Sequence, residues 1–310
     1  MKKYVFALLP LVLLCSCESN EKLTLTVACP SGAPALSMYE HLRDENVEIS
    51  NAQTVSSYFQ AGSKDIIILP TNAGAKMIQK TNAPYKLAAT VTFGNFFLAS
   101  TGNDSNNTLD KDDYVVVFQQ NNIPDLLFKY VYGTDYTNVH YVADVNAASR
   151  CLISGKNESD SNAEAAYVLV AQPVLSVALQ QNTNASIYSN IQELYKSKSG
   201  GKRITQASIF VNNSVNEKKA RNFLREIKDD VEDLLHEPSE LDEAIRESGL
   251  ESETVASKIG NPTIIKNLLQ NGNTIGIGFQ WADVNKSDID AFLNTLGQDS
   301  TTDSVYFKHD

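Results

Sequence analysis

The chain has 310 residues, 42% of them hydrophobic, which is enough to bury one large core or two medium ones, and two lobes is the better prediction. Its formal net charge of −11 argues against a nucleic-acid-binding protein, because phosphates are bound through Lys and Arg. The four His are not paired with each other or with Cys at ligand spacing, so we expect neither a metal nor a cofactor.

Residues 1–16 are predicted to be a secretory signal and not part of the fold. Lys2 and Lys3 form a positively charged n-region, and the apolar stretch after them is too short to span a bilayer. Segment 14–17, Leu-Cys-Ser-Cys, resembles a bacterial lipobox. That resemblance implies a signal peptide over 1–16, cleavage before Cys17 and a diacylated N-terminus. An ordinary secretory signal or an N-terminal anchor is the alternative.

The next part of the chain alternates apolar runs with helical patterns. Strands are predicted at 23–29, 47–53 and 66–69, and helices at 34–42, 55–60 and 73–80. Continuous apolar strands between helices are typical of a parallel sheet that is covered on both faces. A further long apolar segment, 85–100, is interrupted at Gly94-Asn95.

Two polar stretches, 101–113 and 197–203, bracket a second unit with the same alternation. After it come a strand over 206–211 and a long amphipathic helix with an apparent capping box at Ser214–Glu217, and then shorter helices. We therefore predict an inserted second lobe at 102–203, and a first lobe made of residues 17–101 plus 204–310. The polar stretches are the natural places for the crossings between the lobes.

This order of elements resembles the solute-binding lipoproteins of ABC transporters. The resemblance rests on SGAPALSMYEHL at 31–42, DIIILPTNAGAKMI at 65–78 and YKLAATVTFGNFFLAS at 85–100. The chain is most similar to the type II periplasmic-binding group that includes nitrate, sulfonate and thiamine-precursor binders. This implies an α/β fold with two lobes, each a mainly parallel sheet flanked by helices, and a ligand cleft between them.

The same resemblance implies a function and a set of partners. The expected protein is a monomer in the bacterial cell envelope, outside the cytoplasm and anchored to the membrane through Cys17. It captures a small-molecule solute and presents both lobes to the permease and ATPase subunits of an ABC transporter. Closure about a hinge is a common motion of this architecture.

The resemblance places the ligand at turns that follow strands. The expected contacts in the first lobe are Ser31, Gly32, Ala33, Thr71, Asn72, Thr92, Phe93, Gly94 and Asn95. Those in the second lobe are Gln119, Gln120, Asn121, Asp144, Asn146 and Gln172. The backbone amides of Ser31 to Ala33 are expected to touch the ligand, because small residues allow close approach. Asn72, Asn95 and the Gln-rich turn are expected to supply specificity.

Each of these positions also has a purely structural interpretation. Gly32 and Gly94 can simply permit turns, and Phe93 can be a core residue. The polar residues that precede or begin helices can be caps, namely Thr71, Asn72, Asp144 and Asn146. None of the corners carries Arg, and the first Lys after the corner at Thr71-Asn72 is Lys76, so a neutral or weakly polar ligand fits better than an oxyanion.

Two rival functions are compatible with this fold. A fold-related enzyme of the thiamine-precursor or menaquinone-pathway type is disfavoured, because the chain has no Cys-rich run and carries a lipobox-like segment. We therefore predict a protein that is not an enzyme. A surface lipoprotein that acts as a sensor or binds a protein remains open, since it would need the same cleft.

The two mature cysteines, Cys29 and Cys151, fall in different predicted lobes, and buried free thiols are favoured over a bridge that would lock the hinge.

Overall fold

The computed structural model describes residues 24–104 and 108–310, so the signal segment and Cys17 lie outside the described residues. The strands are β1 Val27–Pro30, β2 Val47–Ser50, β3 Ile66–Pro70, β4 Tyr85–Thr92, β5 Phe96–Ser100, β6 Val115–Phe118, β7 Val139–Val142, β8 Lys156–Asn157, β9 Ala163–Glu164, β10 Tyr167–Ala171, β11 Ser186–Asn190, β12 Ala207–Asn212 and β13 Ile277–Trp281.

The α-helices are α1 Ala52–Ala61, α2 Thr71–Thr81, α3 Ile123–Tyr132, α4 Val145–Ser154, α5 Val174–Gln181, α6 Ile191–Lys198, α7 Glu217–His236, α8 Glu240–Ser248, α9 Ser252–Ile259, α10 Pro262–Gln270 and α11 Lys286–Thr295. Two segments are 3-10 helices, Ala33–His41 and Asp303–Val305. Within residues 24–104 and 108–310, no helix is both long and apolar enough to cross a membrane.

Two large sheets define two lobes. The first lobe contains a six-stranded sheet in the order β13-β4-β12-β3-β1-β2, in which β2, β1 and β3 are parallel neighbours. The second lobe contains a five-stranded sheet in the order β11-β5-β10-β6-β7, in which β10, β6 and β7 are parallel. A small hairpin of β8 and β9 stands apart from both sheets. The predicted α/β architecture is therefore present in both lobes.

Each large sheet is covered by helices because its strands are apolar on both faces. On the first sheet, Val27 faces a core shared with the first 3-10 helix and with α7 to α10, whereas Ala28 faces one shared with α1, α2 and α11. The second sheet has its own core with α3 to α6. The helix α11 contributes to two cores, since Ile289 lies in the first lobe and Phe292 in the second.

The chain crosses between the lobes at 93–95 and returns at 199–206. Strand β4 belongs to the first sheet and β5 to the second, so the first crossing precedes β5. The expectation that residues 101–113 form this crossing is wrong, because the apolar run 85–100 continues from one core into the other and hides the change of sheet. The return agrees with the polar stretch 197–203, since α6 ends at Lys198 and β12 begins at Ala207.

Two local predictions can be compared directly with the structure. The capping box at Ser214 is wrong: α7 begins at Glu217, and the Asn216 side chain caps it by accepting a hydrogen bond from the amide of Lys219 at 3.1 Å. Both Cys29 and Cys151 are buried and unbridged, which confirms the prediction of free thiols.

Candidate functional site

The ends of four strands meet where the chain crosses between the lobes. The amide of Thr71 donates to the carbonyl of Gln206 (3.0 Å), and the amide of Gln206 donates to the carbonyl of Thr92 (2.8 Å). On the other side of the crossing, Gln172 donates its amide to the carbonyl of Asn95 (2.9 Å), and Asn95 Nδ2 donates back to the carbonyl of Gln172 (2.6 Å). We call residues 71–72, 92–95, 172 and 203–206 the inter-lobe junction.

The inter-lobe junction contains an unusual number of buried polar atoms that lack a hydrogen-bond partner within the described residues. They are Asn72 Oδ1, Thr92 Oγ1, Asn95 Oδ1, Thr205 Oγ1 and Gln206 Oε1. A buried polar atom without a partner costs roughly 1–3 kcal/mol, so folded proteins retain few of them. Their concentration at one place between two lobes marks the junction as the candidate binding site.

A cavity of about 430 Å³ lies between the lobes and includes one residue of the junction, Asn72. It is lined by Asn72, Ala73, Lys76, Gln79 and Lys80 of α2, by Asn121, Asn122 and Leu126 of the second lobe, and by Leu296, Gly297, Gln298 and Asp299 beyond α11. Two of the predicted contacts, Asn72 and Asn121, are thus brought to one cavity. Gln298 Oε1 is also buried without a partner.

The turn that carries Asn121 is held by a buried carboxylate. Gln119 and Asn121 both have positive φ, 56° and 61°, which is uncommon outside glycine. The Asn121 amide donates to Asp125 Oδ2 at 2.8 Å. Asp125 is fully buried and also accepts from Lys129 Nζ at 2.8 Å and from the Tyr141 hydroxyl at 3.0 Å. The turn is therefore fixed from the core of the second lobe.

No protein-family model matches the chain, and no curated protein matches it. Solved structures do. An ABC transporter protein from Parabacteroides distasonis superposes with a TM-score of 0.65 at 16% identity, over 88% of this chain and 91% of that one. The periplasmic aliphatic sulphonate-binding protein SsuA from Escherichia coli gives 0.61 at 12% identity, over 92% and 91%. A zinc-bound ligand-binding component of an ABC-type import system from Staphylococcus aureus gives 0.60 at 8% identity, over 92% and 96%.

The chain has the type II periplasmic-binding fold. This conclusion combines those superpositions, which extend over most of both chains, with the two lobes and double crossing described above. The predicted fold class is confirmed. Open α/β sheets bind their ligands at the edge where the parallel strands end, and in this chain Thr71, which directly follows β3, lies at the inter-lobe junction.

The first corner of this periplasmic-binding fold differs from the prediction. The amide of Ser31 donates to the carbonyl of Ser50 at 2.9 Å, which extends the pairing of β1 with β2. The amide of Gly32 donates to the carbonyl of Lys258 at 2.8 Å, at the end of α9. The expectation that these two amides are free for a ligand is wrong, because neighbouring chain segments already use them. Gly32 has a φ of 97°, so its conformation is one that the turn requires.

Several other predicted contacts have structural partners. The fully buried Thr71 hydroxyl pairs with Ser208 Oγ at 2.7 Å, and Asp144 caps α4 by accepting from the Ala147 amide at 2.8 Å. Gln172 Oε1 accepts from the amide and the hydroxyl of Ser176, at 3.1 and 2.9 Å. Asp144 and Asn146 are exposed and do not line the 430 Å³ cavity.

The first crossing, residues 93–95, packs against Arg203 of the second crossing and against the loop that precedes β13. The Arg203 guanidinium lies 4.1 Å from the centroid of the buried Phe93 ring. This contact links the two crossing segments. The amide of Phe93 donates to the carbonyl of Gly276 at 2.7 Å. A Cβ added to Gly276, which has a φ of 72°, would lie 2.2 Å from the Gly94 carbonyl oxygen. The crossing and the loop before β13 are therefore packed backbone against backbone.

Sequence reasoning missed part of the site. Thr205 and Gln206 precede β12, and they belong to the site because β12 runs antiparallel to β3 and β4 and so begins where those strands end. The sequence places Thr205 and Gln206 directly before a predicted strand, but the direction of that strand must be known before the two residues can be assigned to the site. Gln298 could not be recognised in this way, because it follows a helix whose place between the lobes is set by tertiary packing.

Proposed function

We propose that this protein is an extracytoplasmic, lipid-anchored solute-binding protein that is not an enzyme. It captures a small molecule at the inter-lobe junction and delivers it as a monomer to the permease and ATPase subunits of an ABC transporter. The observation that supports binding is the set of buried, unpartnered polar atoms at the junction, next to a cavity that both lobes line. The proteins of similar fold that belong to ABC importers support the transport role.

The predicted contacts fall into two groups under this proposal. Asn72, Thr92, Asn95 and Asn121 are proposed to contact the ligand through side chains, because they lie at the junction or the cavity. The remaining candidates are proposed to shape the site through the backbone or through packing: Ser31, Gly32, Ala33, Thr71, Phe93, Gly94, Gln119, Gln120 and Gln172. Asp144 and Asn146 are exposed and lie outside the cavity, so they are proposed to make no contact with the ligand.

The proposal is tested with protein that lacks residues 1–17. Native mass spectrometry detects a co-purified small molecule, and thermal unfolding across a panel of small metabolites detects binding. A ligand at 100 times its Kd adds about 2.7 kcal/mol of stability, which corresponds to roughly 5 °C in Tm for a protein of this size. We expect at least one compound to give such a shift.

Matched variants locate the binding. Asn72→Leu and Asn121→Leu should reduce the ligand-induced rise in Tm at least by half, because each removes polar groups from the cavity. Asn146→Leu is the control, since Asn146 is exposed and lies outside that cavity. Neither a co-purified molecule nor any compound that raises Tm would contradict the proposed function.

A further inference from the structure

The hydrogen-bonding groups at the inter-lobe junction are unbalanced. Three backbone donors at the strand ends are used within the protein: the amides of Ser31, Gly32 and Thr71 donate to backbone carbonyls, at 2.9, 2.8 and 3.0 Å. The Thr71 hydroxyl is paired with Ser208. In the part of the chain that the structure describes, the buried side-chain atoms left without a partner in the junction are the amide oxygens of Asn72, Asn95 and Gln206, which can only accept, and the hydroxyls of Thr92 and Thr205, which can donate or accept.

The unpartnered acceptors are carbonyl oxygens of amide side chains. Asn95 is the clearest case, because its Nδ2 donates to the Gln172 carbonyl at 2.6 Å. A backbone carbonyl can only accept, so this bond fixes the orientation of the Asn95 amide and assigns the unpartnered position to its oxygen. Asn72 Oδ1, Gln206 Oε1 and Gln298 Oε1 are likewise buried without a donor.

The positive charges near the site do not offset this imbalance. Arg203 is occupied by Phe93, by Gln280 and by Asp288, whose Oδ2 lies 3.6 Å from its Nε. Lys76 and Lys80 line the cavity, but both side chains are exposed and the exposed Asp299 lines it with them. None of these cations is a buried partner for an anion in the described part of the site.

We infer that the ligand is an uncharged or cationic molecule that presents N–H or O–H donors to the inter-lobe junction, and is not an oxyanion. This inference rests on the proposed function and narrows it to a ligand class. A sulfonate, sulfate or nitrate ion offers only acceptors, so it would face the carbonyl oxygens of Asn72, Asn95 and Gln206 with no hydrogen bond to give. An amine, amide or hydroxyl compound supplies the missing donors.

The ligand class is tested by thermal unfolding of the protein lacking residues 1–17 with two probe sets. Putrescine, glutamine and glucosamine are the donor-bearing probes, and nitrate, sulfate and methanesulfonate are the oxyanion probes. Any molecule that co-purifies is released and identified by mass spectrometry. We expect a rise in Tm with a donor-bearing probe, or a released molecule with at least two N–H or O–H groups, and no shift with the oxyanions.

The possible failures are distinguishable. A rise in Tm with an oxyanion but with no donor-bearing probe, or release of a molecule without such donors, overturns the ligand class and leaves the proposed function standing. No shift with any probe and no released molecule overturns both.

Gln206→Met provides a test within the site. This near-isosteric change removes the Oε1 acceptor, and it keeps the backbone bonds of residue 206 to Thr71 and Thr92. The Tm of the unliganded variant should be unchanged or higher, whereas its affinity for the probe or released molecule should fall at least tenfold. Gln181→Met, at an exposed position of α5, is the control. A lower unliganded Tm with unchanged affinity would show that Gln206 is only structural.

Discussion

The carboxyl group of Asp230 on α7 sits beside a buried histidine, and its protonation is linked to folding. Burial raises the pKa of Asp230 to about 7, His41 opposes that rise, and the carboxylates of Glu226, Glu40 and Asp233 add to it. His41 Nε2 lies 3.8 Å from Asp230 Oδ2 and 4.0 Å from Glu226 Oε1, and its Nδ1 lies 2.9 Å from Asp44 Oδ2. The ionised form of Asp230 is therefore destabilised, because this carboxylate belongs to an acidic cluster around one imidazole.

This arrangement predicts a specific pH dependence. Because the pKa of Asp230 is higher in the folded chain than the value near 3.9 of an unfolded one, the folded state binds the proton more tightly. The protonated carboxyl stabilises the fold, so its contribution grows as pH falls through about 7 and is complete below the unfolded value. Asp230→Asn should raise the free energy of unfolding at pH 8 by about 1–3 kcal/mol, and by less at pH 5.

Urea unfolding of both proteins at the two pH values measures this difference. Asp229→Asn is the matched control, since Asp229 is the adjacent, exposed carboxylate of the same helix. An equal effect of Asp230→Asn at pH 8 and pH 5 would show that its titration is not linked to folding.

Strand β4 and its neighbours show which elements the sequence predicts and which it does not. The apolar runs of β1, β3, β6 and β10 are identified by composition alone, because they are central strands covered on both faces. The edge strand β11, SIYSN, has largely exposed side chains and lacks such a signal. Between β4 and β5 the hydrophobic pattern continues without a break, so only Gly94-Asn95 marks the change of sheet.

The same reasoning explains the outcome for the candidate site. Turns after parallel strands can be located from sequence, and this brings Asn72 and Asn121 to one cavity. Whether an amide in such a turn is free depends on segments far away along the chain. The Gly32 amide is occupied by Lys258, a partner that no local pattern connects to it.

The loop before β13 provides a prediction at the level of elements. Gly276→Ala should destabilise the protein by more than 2 kcal/mol, because the new Cβ would lie 2.2 Å from the Gly94 carbonyl oxygen. Part of any such loss comes from the positive φ alone, roughly 1–2 kcal/mol. Gly272→Ala isolates that part, since Gly272 has a φ of 82° in the same loop and nothing within 4 Å of an added Cβ.

Chemical denaturation of the two variants gives the comparison. Equal losses for Gly276→Ala and Gly272→Ala would mean that the contact between the loop and the crossing can relax at no cost, contrary to the close packing described above.

For the whole molecule, the proposed anchor decides where the lobes operate. Cys17→Ser in the full-length precursor should remove the protein from the membrane fraction and abolish incorporation of labelled fatty acid, because the diacylated residue is lost. Cys15→Ser is the control, as it leaves the proposed acceptor intact. Fractionation followed by immunoblotting measures the membrane association of both variants. Continued membrane association of the Cys17→Ser protein would support an uncleaved N-terminal anchor instead.

The position of α11 in both hydrophobic cores has a kinetic consequence. Phe292 packs in the second lobe, whereas Ile289 and Leu293, on the same helix, pack in the first. When the lobes separate, α11 can stay with only one of them, and apolar surface of the other set meets water at roughly 25 cal/mol per Å². Under the proposed function, this cost should slow the separation of the lobes that uptake and release of a solute require. Substitutions that remove apolar side chains of α11 should therefore alter the residence time of a bound ligand more than its equilibrium affinity.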